Sequence, residues 1–284
     1  MSPLKKLLRD RRSLAGAAIL GVMALAAVMA PVIAPADPIA QGDVIANRFL
    51  SPLESGGDGI VHWLGTDRYG RDILSRLIFG ARISLSVGLL SVTVAIVLGV
   101  AIGVTAAAFG GAIERALMVL TDVFLALPRL VLLLTLVTIW DSSLLLVVLV
   151  LGFTGWMSIA RLVRAEVRSL LSRPFVDAAR AGGISLNHLV WHHLIPNSVT
   201  PVFVAAALSV GNAIALEAGL SFLGLGIPHP APSWGNMIAA GRDALVNAPW
   251  ISVFPGLCVA LAVIACNLLG DGARDALDPR SPTF

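Results

Sequence analysis

Charge is scarce in this 284-residue sequence, and lysine most of all. Only 13% of the residues are charged whereas 57% are hydrophobic, and the two lysines, Lys5 and Lys6, both lie near the N-terminus. One soluble core cannot hide so much apolar surface, so lipid must surround much of the chain. The net charge of +3 gives little support for nucleic-acid binding. The composition predicts an integral membrane protein.

The scarcity of lysine also excludes an ATP-binding loop. The motif Gly-x-x-x-x-Gly-Lys-Ser/Thr needs a lysine that reaches the terminal phosphates, and neither Lys5 nor Lys6 stands in one. No Gly-x-Ser-x-Gly turn marks a hydrolytic serine. We therefore predict that the chain is not an enzyme, with no catalytic residues and no cofactor of its own.

Cysteines and metal ligands are sparse as well. Cys258 and Cys266 lie eight residues apart in one apolar run, and a helix would separate them by roughly 12 Å, which excludes a disulfide between them. His188 and His192 have the spacing of a metal-binding pair, but no cysteine or carboxylate stands near to complete a site. We predict no metal site.

Six apolar runs are long enough to cross a bilayer, which takes about 20 residues in a helix. They cover residues 13–33, 83–109, 121–140, 144–163, 199–220 and 251–269. The first transmembrane segment, within 13–36, follows a basic tail at 1–12. Ala34 and Ala36 would suit a signal peptidase, but the run is longer than a signal peptide core, so we predict an uncleaved anchor. The predicted fold class is all-α, with about six transmembrane helices.

Basic residues are distributed unevenly between alternate loops. A cytoplasmic N-terminus places thirteen of them inside: Lys5, Lys6, Arg9, Arg11, Arg12, Arg115, Arg161, Arg164, Arg168, Arg173, Arg180, Arg274 and Arg280. It places five outside: Arg48, Arg68, Arg71, Arg76 and Arg242. The positive-inside rule therefore predicts cytoplasmic termini, a cytoplasmic loop at 164–198 and a cytoplasmic tail at 271–284. Residues 37–80 and 221–250 are then exterior, and 81–284 form a core of five transmembrane helices.

Two of the runs carry residues with a specific structural meaning. Asp122, Pro128 and Arg129 in the third run fit one helix kinked at Pro128. Arg129 then lines a hinge or a pathway, or it snorkels or pairs within the bundle. In the second run, Gly99 and Gly103 predict a face for close helix contact.

Two exterior helices are also predicted. The apolar residues Ile73, Leu77 and Ile78 alternate with charged ones, which indicates an amphipathic helix on the outer interface; the charged residues are Arg71, Asp72 and Arg76. Ser233 can cap a helix that begins at Trp234, a residue type suited to the headgroup zone.

The polar stretch that follows the fourth run predicts two short helices. Pro174 suits the first position of one helix, Asp177 its first turn, and Gly182 with Gly183 its end. One small-sided face of this helix could fit a partner's groove, with Phe175 as the buried anchor; it comprises Phe175, Ala178, Ala179 and Gly182. In the second helix Ser185 is the cap and Pro196 the stop, around the apolar stripe Leu186, Leu189, Val190 and Leu194.

This stretch resembles the cytoplasmic coupling loop of ABC-importer permeases. The family signature is Glu-Ala-Ala, three residues, a glycine, nine residues and an apolar-x-Leu-Pro ending. The matching residues here are Asp177, Ala178, Ala179, Gly183, His193, Ile195 and Pro196. Asp for Glu and Ile for Leu are mild departures, and the peptide and nickel branch commonly has histidine at the position of His193. Segments 64–88, 221–250 and 267–280 resemble the same branch.

The resemblance implies the type I ABC-importer permease fold and a C-type permease subunit of the dipeptide, oligopeptide and nickel family. It implies a related permease partner, two cytoplasmic ATPase subunits that bind ATP and Mg, and an exterior solute-binding protein, in a bacterial or archaeal plasma membrane. Di- or oligopeptides are the expected cargo, with nickel chelates, glutathione or opine-like solutes as alternatives. The implied motor contacts are Phe175, Asp177, Ala178, Ala179, Arg180 and Gly183.

Three polar residues on the last two runs are candidates for the translocation path: Asn212, Glu217 and Asn267. Glu217 could meet a peptide amine, or it could face water or a partner group. A secondary transporter driven by an ion gradient remains a remote alternative, but it would show carboxylates near mid-membrane and an inverted repeat. Glu217 instead lies near the end of its run. A membrane scaffold would have no reason to carry the coupling signature.

Overall fold

The computed structural model describes residues 10–57, 59–140 and 142–277, and most of these residues are helical. The outer part of the predicted basic tail, with Lys5, Lys6 and Arg9, lies outside the described residues. So does the end of the predicted C-terminal tail, with Arg280.

The elements follow one another with short connections. The helices are α1 (Arg11–Val28), α2 (Ala30–Ile33), α3 (Val44–Asn47), α4 (Ile73–Phe109), α5 (Gly111–Ala126), α6 (Arg129–Ile139), α7 (Leu144–Phe153), α8 (Trp156–Leu171), α9 (Pro174–Ala181), α10 (Leu186–Leu189), α11 (Ile195–Phe222), α12 (Trp234–Gly241) and α13 (Trp250–Leu277). A π-helical turn, Val190–Leu194, joins α10 to α11, and a 3₁₀ turn, Arg242–Ala244, follows α12. The strands β1 (Glu54–Ser55) and β2 (Val61–His62) pair antiparallel, with Glu54 opposite His62.

Within the described residues, five segments are long and apolar enough to span a membrane: α1, α4, α7 with α8, α11 from Pro201 onward, and α13. Helices α5 and α6 form a sixth if the pair, bent by 88°, is one span. The prediction of an all-α membrane protein with about six spans is confirmed. The single kinked helix expected at 121–140 is instead two helices, because Pro128 favours an extended residue before it and Leu127 adopts φ −81°, ψ 134°.

Two predicted boundaries need correction. The interface helix expected around Ile73 is the start of α4, which runs for 37 residues without a break and is capped by Asp72. The three charged residues on which the prediction depended, Arg71, Asp72 and Arg76, are buried and paired, so they form no exposed charged face. Pro196 does not stop a helix: it lies in the first turn of α11, where a missing N–H costs no helical hydrogen bond.

The spanning helices leave two ends, which we name after the short helix at each. The α9 end holds the start of α1, the α4–α5 junction, residues 172–194 and the end of α13, where a Cβ on Gly272 would meet the Ser13 hydroxyl. The α12 end holds residues 34–72 and 223–249, where Trp250 Nε1 donates to the Thr66 carbonyl at 3.2 Å. Chain segments far apart in sequence therefore meet at both ends.

Helices α4 and α8 pack with their backbones close together. A Cβ on Gly99 would lie 2.7 Å from the Cβ of Ile159, and one on Gly103 would lie 2.6 Å from the Ala160 carbonyl oxygen. The predicted small-residue face of the second run is confirmed. Because α8 leads directly into α9, this contact ties the α9 end to the longest helix of the bundle.

Candidate coupling surface

Helix α9 begins and ends where its local sequence predicts. Pro174 occupies the first position and Asp177 the first turn. At the other end Gly183 adopts φ +80°, and the Ile184 N–H donates to the Ala179 carbonyl at 3.1 Å. This is the Schellman arrangement, in which a glycine in the left-handed region closes the helix. Both ends of α9 are thus fixed by its own residues.

The inward face of α9 is held by apolar contacts. Val176 is fully buried in a cluster with Leu170, Leu189 and Leu194, and Ala179 packs partly against the same cluster. Val176 is not among the residues predicted from the sequence, because the stripe of small residues beside Phe175 lies on another face of α9. The i, i+3 pair of Val176 and Ala179 was the available signal. These two residues orient α9 on the bundle.

The outward face of α9 is open in this chain. Asp177, Ala178 and Gly183 are exposed, and Phe175 keeps 40% of its surface accessible, with its ring centroid 6.2 Å from that of His193. Of the six predicted motor contacts, four therefore point away from the bundle and Ala179 lies at the boundary. The Arg180 side chain lies outside the described residues.

The second helix of the loop continues this surface. The His188 N–H donates to the Ser185 hydroxyl at 3.4 Å, as expected for a cap. Leu189 and Leu194 are buried, whereas Trp191 is 64% exposed. The rings of His188 and His192 stack with centroids 4.0 Å apart, and His192 Nδ1 lies 3.2 Å from the His188 carbonyl oxygen. The loop from Phe175 to Trp191 thus presents aromatic and imidazole rings beside small residues.

Ion pairs brace the helices beside this surface. Glu114 at the start of α5 accepts from Arg164 Nε at 2.7 Å and from Arg168 Nη1 at 3.0 Å, both on α8. About two helical turns further along α5, Asp122 pairs with Arg161. These pairs join α5 to the helix that carries α9.

The predicted path residues lie in different environments. The Glu217 carboxylate is fully buried and accepts hydrogen bonds from the hydroxyls of Ser221 at 2.8 Å, Ser233 at 2.9 Å and Ser84 at 3.5 Å. These hydrogen bonds join α4, α11 and the start of α12, so the Glu217 carboxylate has a structural role in this chain. Asn212 and Asn267 are exposed on the described chain. Their role in a path stays a prediction.

The α12 end has its own buried polar network. Asp67 lies 2.7 Å from Arg71 Nη2 and 3.8 Å from Arg76 Nε, and Arg76 also donates to the Pro38 carbonyl at 2.9 Å. Beside it, His62 Nδ1 lies 3.0 Å from the Asp72 carboxylate. The charged side chains of this network are nearly inaccessible to solvent; they are Asp67, Arg71, Asp72 and Arg76.

Helix α12 and the segment that precedes it complete the α12 end. The predicted cap of α12 is confirmed, because Ser233 and Asn236 form a capping box. Trp234 is buried in the core with its Nε1 donating to the Leu77 carbonyl at 3.1 Å, so its ring contacts the protein and does not face lipid headgroups. Partial burial, and then the charges of Arg71, Arg76 and Arg68, lower the pKa of His229 below its ordinary value.

Comparison of the sequence with known families gives two matches. Residues 77–281 match the family described as binding-protein-dependent transport system inner membrane component. Residues 4–52 match the N-terminal TM domain of oligopeptide transport permease C. The first match includes the whole coupling surface.

Several curated proteins are similar over most of their length. The di/tripeptide transport system permease protein DppC of Pseudomonas aeruginosa is 39% identical, over 98% of this chain and 93% of its own. The dipeptide transport system permease protein DppC of Alkalihalophilus pseudofirmus is 36% identical, over 97% and 88%. A putative peptide permease protein of Brucella suis is 45% identical, over 78% and 74%.

A solved structure has the same fold. A chain of the inward-facing MetNI methionine ABC transporter superposes with a TM-score of 0.60, covering 72% of this chain and 98% of its own. At 18% identity this likeness concerns the fold alone. The type I ABC-importer permease fold that the coupling signature implied is therefore confirmed.

Proposed function

This chain belongs to the family of binding-protein-dependent transport system inner membrane components, and from that premise we propose that it forms half of the translocation pathway of an ATP-driven peptide importer. It is a multi-pass permease of an ABC importer. Di- or oligopeptides are the proposed cargo, since similar curated proteins carry dipeptide and di/tripeptide names. Nickel chelates, glutathione or opine-like solutes are the alternatives within the family.

The assembly proposed around this chain has four further subunits. A related permease completes the pathway, two cytoplasmic ATPase subunits bind ATP and Mg, and an exterior solute-binding protein delivers cargo. The unequal distribution of arginine supports a cytoplasmic α9 end, which would place α9 where ATP is available. The α12 end then faces the solute-binding protein.

The observation that carries the proposal is the two-sided construction of α9. Its outward residues Phe175 and Ala178 are accessible, while Val176 is fixed in the core beneath them. A force applied to the outer face of α9 is therefore transmitted to α8 through packed side chains, and α8 is in backbone contact with α4. Closure of the ATPase subunits would shift the bundle between two states because the closed motor binds one of them better.

Replacement of Ala178 by tryptophan tests this function. Ala178 is exposed, so the larger side chain leaves the bundle intact but blocks a close-fitting partner groove; Ala179 is less suitable because it also packs inward. In vesicles that contain the whole assembly, we expect Ala178→Trp to lower ATP-dependent uptake of dipeptide roughly tenfold or more, as loss of a central interface contact does.

Ala178→Ser is the matched control, because it keeps the small size and the exposure. We expect it to transport at nearly the normal rate. Normal uptake by Ala178→Trp would contradict a motor contact at α9. Uptake by the unmodified assembly that follows an ion gradient and ignores ATP would instead favour the secondary-transporter alternative.

A further inference from the structure

The break between α5 and α6 opens a cavity inside the span. The two helices meet at 88° around Leu127 and Pro128. A cavity of about 320 Å³ lies at this corner, between the break and the turn that joins α7 to α8. Its lining includes Phe124, Leu127, Arg129, Thr154, Met157 and Ser158. We call it the Arg129 pocket.

Arg129 is held at this corner by two neutral groups. Its Nε lies 3.5 Å from the Thr154 hydroxyl and its Nη2 donates to the Leu151 carbonyl at 3.3 Å. Gly155 makes room for the guanidinium, because a Cβ there would lie 3.3 Å from Nη2. The side chain is therefore directed to the α7–α8 turn and does not extend along the span toward a headgroup.

The pocket lies away from both ends of its apolar segment. Thr154 follows Leu144 by ten residues and precedes Arg161, the first charged residue of α8, by seven. At about 1.5 Å per residue, these separations are roughly 15 Å and 10 Å. The phosphates of a bilayer lie beyond a hydrocarbon layer about 30 Å thick. The guanidinium, held at the α7–α8 turn, is therefore placed within the apolar segment and not at the level of the phosphates.

Within the described part of the chain, three carboxylates of the neighbouring helices are engaged elsewhere. Glu114 pairs with arginines of α8, Asp122 pairs with Arg161, and Glu217 is enclosed by serine hydroxyls. No ion pair to Arg129 occurs among the residues described. By contrast Arg76, which is fully buried in α4, has the Asp67 carboxylate 3.8 Å away. Arg129 thus carries a cationic group whose counter-charge the described chain does not provide.

A lipid-facing arginine at this depth is costly, about 2.5 to 3.5 kcal/mol on insertion scales. The cost disappears when the guanidinium faces water or an anion. Its planar donors fit a carboxylate with two parallel hydrogen bonds. A pocket of this volume is at the lower limit of small-ligand sites and fits the end of a short peptide rather than a whole one.

We propose that the Arg129 pocket binds the carboxylate of the cargo during passage, as an intermediate stop between the exterior and the cytoplasm. This inference rests on the proposed importer function. It adds that the permease, and not only the solute-binding protein, recognises a free carboxylate. A carboxylate side chain of the partner permease is the competing occupant.

Cysteine accessibility tests the site directly in the whole assembly. Ser158→Cys is introduced together with Cys258→Ala and Cys266→Ala and treated with an anionic, membrane-impermeant thiosulfonate; Ser158 lines the pocket, so this variant keeps Arg129. Leu130→Cys is the matched control, because Leu130 is the residue after Arg129, is 46% exposed and is not part of the pocket lining. We expect the reagent to label position 158 and to leave position 130 nearly unlabelled.

Protection by cargo identifies the occupant. Alanyl-alanine and its amide, alanyl-alaninamide, are added at equal millimolar concentration without the solute-binding protein. We expect the free dipeptide to slow labelling of position 158 several-fold and the amide to have little effect. Equal protection by both, or none, would contradict carboxylate binding. Failure to label position 158 would contradict it as well, because lipid or a partner subunit would then cover the pocket.

Transport by charge variants provides a second measurement. We expect Arg129→Gln to lower ATP-driven uptake of alanyl-alanine roughly tenfold, the usual scale for loss of a charge-assisted hydrogen bond, and Arg129→Lys to lower it less. Wild-type rates in Arg129→Gln would reject the pocket while leaving the importer function in place. Absence of ATP-driven uptake in the unmodified assembly would reject the importer function itself.

Discussion

The two ends of the bundle hold their short helices in opposite ways. At the α12 end, buried polar groups pair with one another inside the chain, as Asp67 does with Arg71 and Arg76, and as Glu217 does with the hydroxyls of Ser84 and Ser233. At the α9 end, one apolar face of α9 is fixed through Val176 and the other face is left open. A buried polar network whose partners all lie within the chain stabilises the fold. The exposed face of α9, which lies opposite its buried face, can instead contact a partner and transmit force from it. The chain is thus more complete by itself at the α12 end than at the α9 end.

The largest effect is expected where the network is closed. Asp67→Ala would leave two arginines buried without their carboxylate, and removal of one partner of a buried pair costs about 3 to 5 kcal/mol. We expect a marked fall in the melting temperature of the purified assembly, measured with a thiol dye that reacts as Cys258 and Cys266 become accessible. Asp243→Ala is the control, because Asp243 is 77% exposed in its pair with Arg242. Equal melting temperatures for the two variants would mean that the network does not stabilise the α12 end.

A smaller effect is expected from the anchor of α9. Val176→Ala removes two methyl groups from a fully buried position, which costs about 2 kcal/mol at roughly 0.8 kcal/mol per group plus a cavity contribution. Because α9 has few other anchors, we expect uptake to fall more than the melting temperature does. Val246→Ala is the matched control, since Val246 is 95% exposed at the α12 end. Loss of stability with unchanged uptake would show that the position of α9 is not set by Val176.

The smallest effect is expected from the ion pairs beside α9. Glu114→Gln removes the carboxylate shared by Arg164 and Arg168, whose side chains are 34% and 57% exposed. Solvent screens such pairs, so we expect a loss of no more than about 1 kcal/mol. Asp122→Asn, in a pair exposed on both sides, should change the melting temperature less still. A Glu114→Gln effect as large as that of Asp67→Ala would remove the contrast between the two ends.

The features that the sequence could predict are those fixed by neighbouring residues. The ends of α9 depend on Pro174 and Gly183, whose effects are local, and both were predictable. The spans follow from runs of apolar residues, and the small-residue contact of α4 follows from glycines at i, i+4. Each of these signals is contained in one short stretch of chain.

The errors arose where distant segments meet. Hydropathy places Arg76 at an interface, because the partners that allow its burial, Asp67 and the Pro38 carbonyl, are fixed only by the fold. The burial of Val176 depends on Leu189 and Leu194, which return to α9 through the π-helical turn. The 88° corner at Pro128 likewise reflects packing against α7 and α8, which a proline alone does not specify.

Photo-crosslinking from position 175 shows whether α9 contacts an ATPase subunit. Phe175 is replaced by benzoylphenylalanine in the intact assembly, and Val246 at the α12 end is replaced in the same way for comparison. We expect position 175 to form an adduct with an ATPase subunit and position 246 to form none. An adduct from position 175 with the exterior solute-binding protein, or with no protein at all, would contradict this contact.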